Sequence, residues 1–521
     1  MTTVKAPFSI SKNRSFSDNF QKQEMMNALY LNHRLQLRKN KLSWNFLQKR
    51  SIIPTDTPDL SQIINYIDTI SSTEHEDTLI FLLSMIRKYL SLPHLSNDEV
   101  GNLISIGLVD KIIILLKKEK IQNNCNFLTE IFWILVNITG TDTAKYTELL
   151  INKGILEILE IIKDNTGHIF TNDVIDMFSW LIANLAQNSA NFRKQLAEKK
   201  ILLFLIIKLG QNYSKDTIEH ILVSINYILT SIALKNYCDE EKMLISYLIP
   251  KIINYTSSKE IHAEINPGSF IAMLLSLGKI ITNNVNILMI IERSNCIPQL
   301  FQFLITENAQ NWKVKYNIFR FFGDIAFQNN NTYALFLLQH NILELFILYL
   351  ENKEKIPNDI IKEIFYIISN LEVCEEKTDI NVRYFFSSPH LIDLLFECIQ
   401  SPLPQNVLKE CLYSICNLTI TSKVEEMNIL IQKGIIEFVI AKVILNDENN
   451  KEFSVYGICF EALLNILAFN NNTQLKIQER LNGCNMKEIM EKIWRIDNDS
   501  PKGKFLNTQT DKILSIMEAM E

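Results

Sequence analysis

A pair of residues that could bind an extended peptide recurs along this chain at a nearly constant interval. Residues four apart lie on one face of a helix, so the aromatic ring and the asparagine amide of each pair project together. The ring could hold the stem and charge of a lysine or arginine, and the amide could bind a peptide backbone. The pairs are Trp133 and Asn137, Trp180 and Asn184, Tyr366 and Asn370, and Tyr413 and Asn417.

Acidic residues accompany three of these pairs. Glu130, Glu363 and Glu410 each lie three residues before their aromatic residue, on the same helical face. A carboxylate beside the ring would select for lysine or arginine. Asparagine is a poor helix former, and inside a helix its side chain needs hydrogen-bond partners. Its recurrence at a fixed distance from an aromatic residue therefore favours a row of exposed binding residues over core packing. We therefore predict that Trp133 and Trp180 face solvent on a concave surface.

The interval between the pairs predicts the fold. The asparagines are separated by steps of 47, 186 and 47 residues, and 186 is close to four times 47. The same register continues at Ser231, Lys279, Asp324 and Asn465. A helical repeat of about 40–47 residues indicates a HEAT or armadillo solenoid, and three helices per repeat favour armadillo. We predict an all-α, right-handed armadillo-repeat solenoid of about ten repeats over residues 56–521.

Length and composition agree with such stacking. A chain of 521 residues is too long for one globular core. Repeats avoid that limit because each one buries its apolar face only against its neighbours. The hydrophobic fraction of 47%, with only 13 Gly and 12 Pro, disfavours an all-β or collagen-like chain.

Catalytic and metal-binding motifs are missing from the sequence. There is no phosphate-binding loop, dinucleotide fingerprint, HExxH or GxSxG motif, and the nine cysteines show no zinc-ligand spacing. No stretch of about 18 apolar residues occurs. We predict no enzymatic activity, no cofactor, no metal site and no membrane partner, with reduced cysteines in an intracellular compartment.

The N-terminal arm, residues 1–55, differs in charge from the rest of the chain. It carries ten Lys or Arg and two acidic residues, a net charge of +8, whereas the whole chain carries −6. The remainder is therefore at −14. Such a body could attract a basic partner, and the arm could occupy the same surface within one molecule. An acidic body without a basic stripe makes nucleic acid an unexpected ligand.

Segments of the arm and of the repeats together resemble the importin alpha family. The arm sequence LQLRKNKLSWNFLQKRSIIP resembles the family's importin-beta-binding segment, and FLLSMIRKYLS resembles part of its first repeat. The aromatic and asparagine pairs resemble the family's Trp-xxx-Asn array, so the resemblance covers nearly the whole chain. The basic residues that match in the arm are Arg38, Lys39, Lys41, Lys49 and Arg50.

The resemblance implies two sites for basic nuclear localisation signals. The residues of the larger site are Glu130, Trp133, Asn137, Trp180, Asn184, Tyr227 and Ser231, with Asn188 where the family has aspartate. The residues of the smaller site are Arg320, Glu363, Tyr366, Asn370, Glu410, Tyr413 and Asn417.

The implied function is that of a nuclear import adaptor that shuttles between cytoplasm and nucleus through nuclear pores. Importin beta binds the arm and thereby frees the groove for cargo. Without importin beta, the region of Lys49 and Arg50 competes with cargo. In the nucleus Ran-GTP removes importin beta, and a nuclear export receptor that holds the C-terminal repeats recycles the adaptor.

Two other functions are compatible with the same solenoid. An armadillo scaffold for signalling or adhesion would use the basic arm for a different partner and would not bind importin beta through it. A regulatory subunit of the ubiquitin system or of a phosphatase would need an added catalytic or recruitment domain, and the sequence shows none.

Overall fold

The structure is a computed structural model, and in the part of the chain that it describes every regular element is a helix. The described residues are 58–92, 95–140, 144–165, 170–188, 190–229, 238–257, 267–281, 287–306, 311–327, 331–372, 383–419, 422–441, 453–469, 476–494 and 501–520. The N-terminal arm, with its predicted basic segment, lies outside them.

The described residues fall into two compact units, and the first ends at Cys296. Its helices are α1 Leu60–Thr69, α2 Glu76–Leu90, α3 Asn97–Ser105, α4 Leu108–Leu116, α5 Glu119–Gln122, α6 Cys125–Thr139, α7 Ala144–Asn152, α8 Ile155–Asn165, α9 Asn172–Asn188, α10 Ala190–Glu198, α11 Ile201–Leu209, α12 Lys215–Leu229, α13 Cys238–Ser257, α14 Pro267–Ile281 and α15 Ile287–Arg293.

The second unit begins at Ile297, inside α16. Its helices are α16 Cys296–Ile305, α17 Trp312–Ala326, α18 Asn331–Gln339, α19 Ile342–Glu351, α20 Asn358–Glu372, α21 Pro389–Gln400, α22 Gln405–Asn417, α23 Val424–Gln432, α24 Phe453–Leu467, α25 Ile477–Gly483, α26 Met486–Trp494 and α27 Pro501–Met520. A 3₁₀ turn at Lys353–Lys355 and a π-helical segment at Ile435–Ala441 interrupt this series.

Each unit is a repeat-like stack in which one long helix of each repeat packs beside that of the next. We call these the third helices, after their place in the predicted three-helix repeat. In the first unit they are α2, α6, α9, α12 and α14, and in the second they are α17, α20, α22 and α24. Consecutive third helices within a unit are in direct contact. The predicted stack of helical repeats is therefore confirmed in both units, whereas the number of described helices between successive third helices varies from one to three.

Local sequence explains where several of these helices begin. Asp59 and Ser96 form capping boxes at the starts of α1 and α3, which satisfy backbone N–H groups that have no partner inside the helix. The side chain of Asn124 accepts hydrogen bonds at the start of α6. Thr171 accepts a hydrogen bond from the Val174 N–H at the start of α9, which is the role of an N-cap residue.

Within the described ranges, no single helix has the length and apolar character needed to cross a membrane. In these ranges, one pair of helical segments, Thr332–Gln339 and Ile342–Glu351, has that length and apolar character when the two are taken together, and the two are bent by 63° relative to each other.

Candidate functional site on the third helices

The aromatic and asparagine pairs all lie on third helices, but their exposure differs. Trp180, Asn184, Tyr366 and Asn370 are half-buried. Trp133 is only 2% exposed. The prediction that Trp133 faces solvent is therefore wrong, whereas Trp180 keeps a partly accessible ring. The remaining site residues that are buried are Glu130, Asn137, Tyr227, Glu363, Glu410, Tyr413 and Asn417.

Trp133 is buried because the preceding third helix supplies an arginine that covers its ring. The guanidinium carbon of Arg87, on α2, lies 4.3 Å from the ring centroid of Trp133 on α6. Arg87 Nε also donates to Glu130 Oε2 at 2.5 Å. The expected combination of ring, carboxylate and cation is thus present, but this cation belongs to the chain itself.

The second unit contains the same arrangement. Arg320 on α17 lies with its guanidinium carbon 5.9 Å from the ring centroid of Tyr366 on α20. Its Nη1 lies 3.4 Å from Glu363 Oε1, and its Nε lies 3.7 Å from Asp324 Oδ1. Burial acts to lower the pKa of Arg320, but Glu363 and Asp324 outweigh it and raise that pKa above its usual value. Burial also raises the pKa of the Tyr366 hydroxyl, so Arg320 stays charged beside a neutral phenol.

Gly323 allows the helices of this second cluster to approach closely. A Cβ atom at Gly323 would lie 2.9 Å from Glu363 Oε1 and 3.4 Å from the ring of Tyr366. A larger residue at this position would therefore require the Glu363 carboxylate to shift.

Both arginines occupy the position that the aromatic residue has in other repeats. Arg87 lies four residues before Ser91, and Asn137 Nδ2 donates to the hydroxyl of Ser91 at 2.9 Å. Arg320 likewise lies four residues before Asp324. The role of Arg87 was missed from the sequence, although its place in FLLSMIRKYLS, 46 residues before Trp133, was a usable signal.

Trp180 has a different neighbour, which comes from the following third helix. The imidazole of His220, on α12, lies with its centroid 4.4 Å from that of the Trp180 ring, at an interplanar angle of 35°. His220 Nδ1 is 2.6 Å from Asp176 Oδ1. Asp176 precedes Trp180 by four residues on α9, so the carboxylate and the ring share one face. Neither Asp176 nor His220 was predicted from the sequence.

Three of the four asparagines connect neighbouring repeats, whereas Asn370 Nδ2 donates to the Tyr366 carbonyl in its own helix. Asn184 Nδ2 donates to Thr139 Oγ1 at 3.0 Å and to the Val136 carbonyl at 3.3 Å, and Asn417 Nδ2 donates to the Ser369 carbonyl at 3.0 Å. These bonds satisfy the last turn of the preceding third helix. At least part of the asparagine periodicity therefore serves stacking.

Several predicted residues cannot be placed in this site. Ser231 lies outside the described residues, as do Arg38, Lys39, Lys41, Lys49 and Arg50, and of Asn188 only the backbone, at the end of α9, is described. In the described part of the chain, no cluster of three His, Cys, Asp or Glu has a geometry that could hold a metal ion.

Comparison with solved structures identifies similar helical architectures at low sequence identity. A crystal structure of an engineered protein aligns with 88% of this chain and 98% of its own, at a TM-score of 0.66 and 12% identity. A structure from work on a phosphorylation switch that controls the interaction between cadherin and beta-catenin aligns with 88% of this chain and 86% of its own, at a TM-score of 0.62 and 12% identity.

No protein-family model and no curated protein sequence matches the chain. The structural likeness therefore shows the fold alone, an armadillo-like arrangement of helical repeats. The number of repeats, their handedness and the resemblance to importin alpha stay predictions.

Proposed function

We propose that this protein is a nuclear import adaptor of the importin alpha kind, built as a right-handed armadillo solenoid of about ten repeats. It binds basic nuclear localisation signals along its third helices and importin beta through residues 1–55. The observation that carries the proposal is the recurrence, in both units, of an aromatic ring and a carboxylate arranged around a cation.

The clusters around Arg87 and Arg320 support the proposal, because they show that the third helices can bind cationic side chains. Arg87 with Glu130 and Trp133, and Arg320 with Glu363 and Tyr366, each place a guanidinium against a carboxylate and an aromatic ring. A ligand's lysine or arginine would find the same chemistry where the chain leaves a ring accessible. Each such cation–ring contact contributes roughly 0.5–2 kcal/mol.

In the first unit, Trp180 has an aromatic ring that is partly accessible. It is half-buried, and Asp176 lies one turn before it on the same face. A lysine stem lying on the indole would bring its ammonium group to Asp176. Because Asn184 Nδ2 is engaged with Thr139, the amide would meet a peptide backbone through its Oδ1 acceptor.

The distribution of charge along the chain also supports the binding of basic segments. The arm carries +8 and the remaining residues carry −14, which favours association of the body with basic segments. The adaptor would release its own arm to importin beta, bind cargo, and return from the nucleus with Ran-GTP and an export receptor.

A scaffold function in adhesion is the second candidate, and the likeness to the beta-catenin structure favours it. That protein is described in its interaction with cadherin, and an armadillo scaffold could bind an extended partner with the same third helices. Such a scaffold would not bind importin beta through residues 1–55, which separates the two functions.

Importin-beta binding by the full chain tests the proposal. Replacing Arg38, Lys39 and Lys41 together by alanine should weaken binding at least about tenfold, with wild-type affinity falling steeply as salt rises. A matched control replaces Lys5, Lys12 and Arg14 by alanine and removes the same charge from the same arm. Unchanged binding of the first variant, or equal losses in both, would refute the assignment of the arm.

A further inference from the structure

The corner formed by Asp176, Trp180 and His220 differs from the other two clusters because an imidazole, rather than a guanidinium, covers its ring. The side chains of His220 and Asp176 are 15% and 16% exposed, close to the 14% of Arg320 in the second unit. Part of the imidazole and of the carboxylate is therefore accessible to solvent. Unlike a guanidinium, an imidazole can exist without charge at physiological pH.

We propose that His220 determines which ligands bind at Trp180, because a lysine or arginine of a basic peptide binds there by replacing the imidazole. The inference rests on the proposed function and specifies how one of its sites works. The indole and Asp176 can accommodate one cationic group, since the carboxylate lies within 2.6 Å of His220 Nδ1 and the two ring centroids are 4.4 Å apart.

Competition for one carboxylate makes the exchange sensitive to protons. A protonated imidazole is an ion-pair partner for Asp176, so a ligand ammonium must displace a like charge. A neutral imidazole holds Asp176 by a hydrogen bond alone and is easier to displace. Histidine is the side chain that changes charge in the physiological range. A basic peptide should therefore bind more tightly as the pH rises.

Other charged groups lie on the helices that form this corner or pack against them, and Lys215 begins α12. Glu130 on α6 is bound by Arg87, and Lys279 on α14 donates to the carbonyl of Asn226. The acidic residues on the two helices that form the corner are Asp173 on α9, and Asp216 and Glu219 on α12. Replacing His220 alone therefore separates the effect of the imidazole from that of these carboxylates.

The test measures the affinity of the full-length protein for a labelled lysine-rich peptide at about pH 5.5 and about pH 8. Wild-type affinity should rise on the order of tenfold over this range. His220→Ala should bind more tightly at the lower pH and lose the dependence. His220→Gln keeps a neutral polar side chain and should also bind independently of pH. Asp176→Asn should bind weakly at both values.

His390→Ala is the matched control. His390 Nε2 also pairs with a carboxylate, Glu351 Oε1 at 2.7 Å, but it belongs to the other unit. This variant should behave as the wild type. If the wild type binds the peptide and both His220 variants keep its affinity and pH profile, the inference is wrong and the proposed function stands. If no protein binds the peptide at either pH, the proposed function itself fails.

Discussion

Trp133 and Trp180 occupy the same position in their repeats but differ in exposure. A different neighbouring side chain covers each ring. Arg87 covers Trp133 from the preceding repeat, and the ring becomes part of the core. His220 stacks on Trp180 from the following repeat and leaves it half-buried. The spacing of the pairs could be predicted from the sequence. Their exposure could not, because it depends on residues more than 35 positions away whose type changes between repeats.

Replacing each tryptophan by alanine should separate these roles. Trp133→Ala should lower the free energy of unfolding by about 3–5 kcal/mol, the cost of truncating a buried aromatic side chain. Trp180→Ala should lower it by no more than about 1–2 kcal/mol, because part of its ring already contacts water. Urea unfolding followed by circular dichroism measures both. Equal losses would contradict the structural distinction between the two rings.

A buried carboxyl makes stability depend on pH in the second unit. Glu372 is 1% exposed, and neither of its carboxyl oxygens has a hydrogen-bond partner within the described residues. Burial raises its pKa well above the ordinary value of 4.5. The contribution of this group to the free energy of unfolding is fully present below that ordinary pKa. It is lost as the pH rises through the raised pKa of the folded state.

Glu372→Gln should therefore stabilise the protein at high pH relative to the wild type. The difference should grow as the pH rises from about 4.5 and then level off above the raised pKa. Thermal unfolding across this range measures it, with exposed Glu354→Gln as the control from the same unit. A difference that does not change with pH would show that Glu372 is not protonated in the folded state.

At the scale of elements, the turn between the first and second helix of a repeat recurs with one conformation. Residues with positive φ fill it at Gly107 (96°), Gly154 (80°), Lys200 (58°), Asn341 (59°) and Gly434 (88°). Glycine adopts this conformation readily, so Gly107, Gly154 and Gly434 suit such a turn. Lysine seldom adopts the left-handed region, so the turn at Lys200 could not be predicted from the residue type.

Lys200→Gly should raise the free energy of unfolding by about 1 kcal/mol, because a left-handed backbone is unfavourable for a residue with a side chain. The reciprocal Gly107→Lys should lower it by a similar amount. A Cβ atom at Gly107 meets no other atom within 4 Å, so the change reports backbone conformation alone. Urea midpoints of the two variants should move in opposite directions, and shifts in the same direction would contradict the shared turn.

At the scale of the whole molecule, each unit is stabilised mainly by apolar contacts between successive repeats. Ion pairs also join neighbouring repeats, such as Lys199 with Glu160 in the first unit and Arg480 with Glu437 in the second. They are partly exposed, and such pairs contribute little. Periodic apolar helices were therefore enough to predict a helical repeat fold. The roles of Arg87 and His220 needed the structure, because neither residue belongs to an aromatic and asparagine pair.

Removing residues 1–55 should increase affinity for basic peptides. The arm carries +8 against −14 for the remaining chain, and Lys49 and Arg50 resemble a cargo cluster. The gain should be modest, roughly 1–2 kcal/mol, as expected when a competing bound state is removed. Titration of one peptide into the full and shortened chains measures it. Equal affinities would show that the arm does not compete with cargo.

The central claim is that the third helices bind basic peptides, and the most direct test is titration of a labelled lysine-rich peptide into full-length protein and Trp180→Ala. Exposed Phe81, which contacts Tyr66, provides the control Phe81→Ala. Binding should be salt-dependent, weakened about tenfold or more in Trp180→Ala and unchanged in Phe81→Ala. Equal affinity of the wild type and a folded Trp180→Ala would contradict the claim, as would no binding by any of the three proteins.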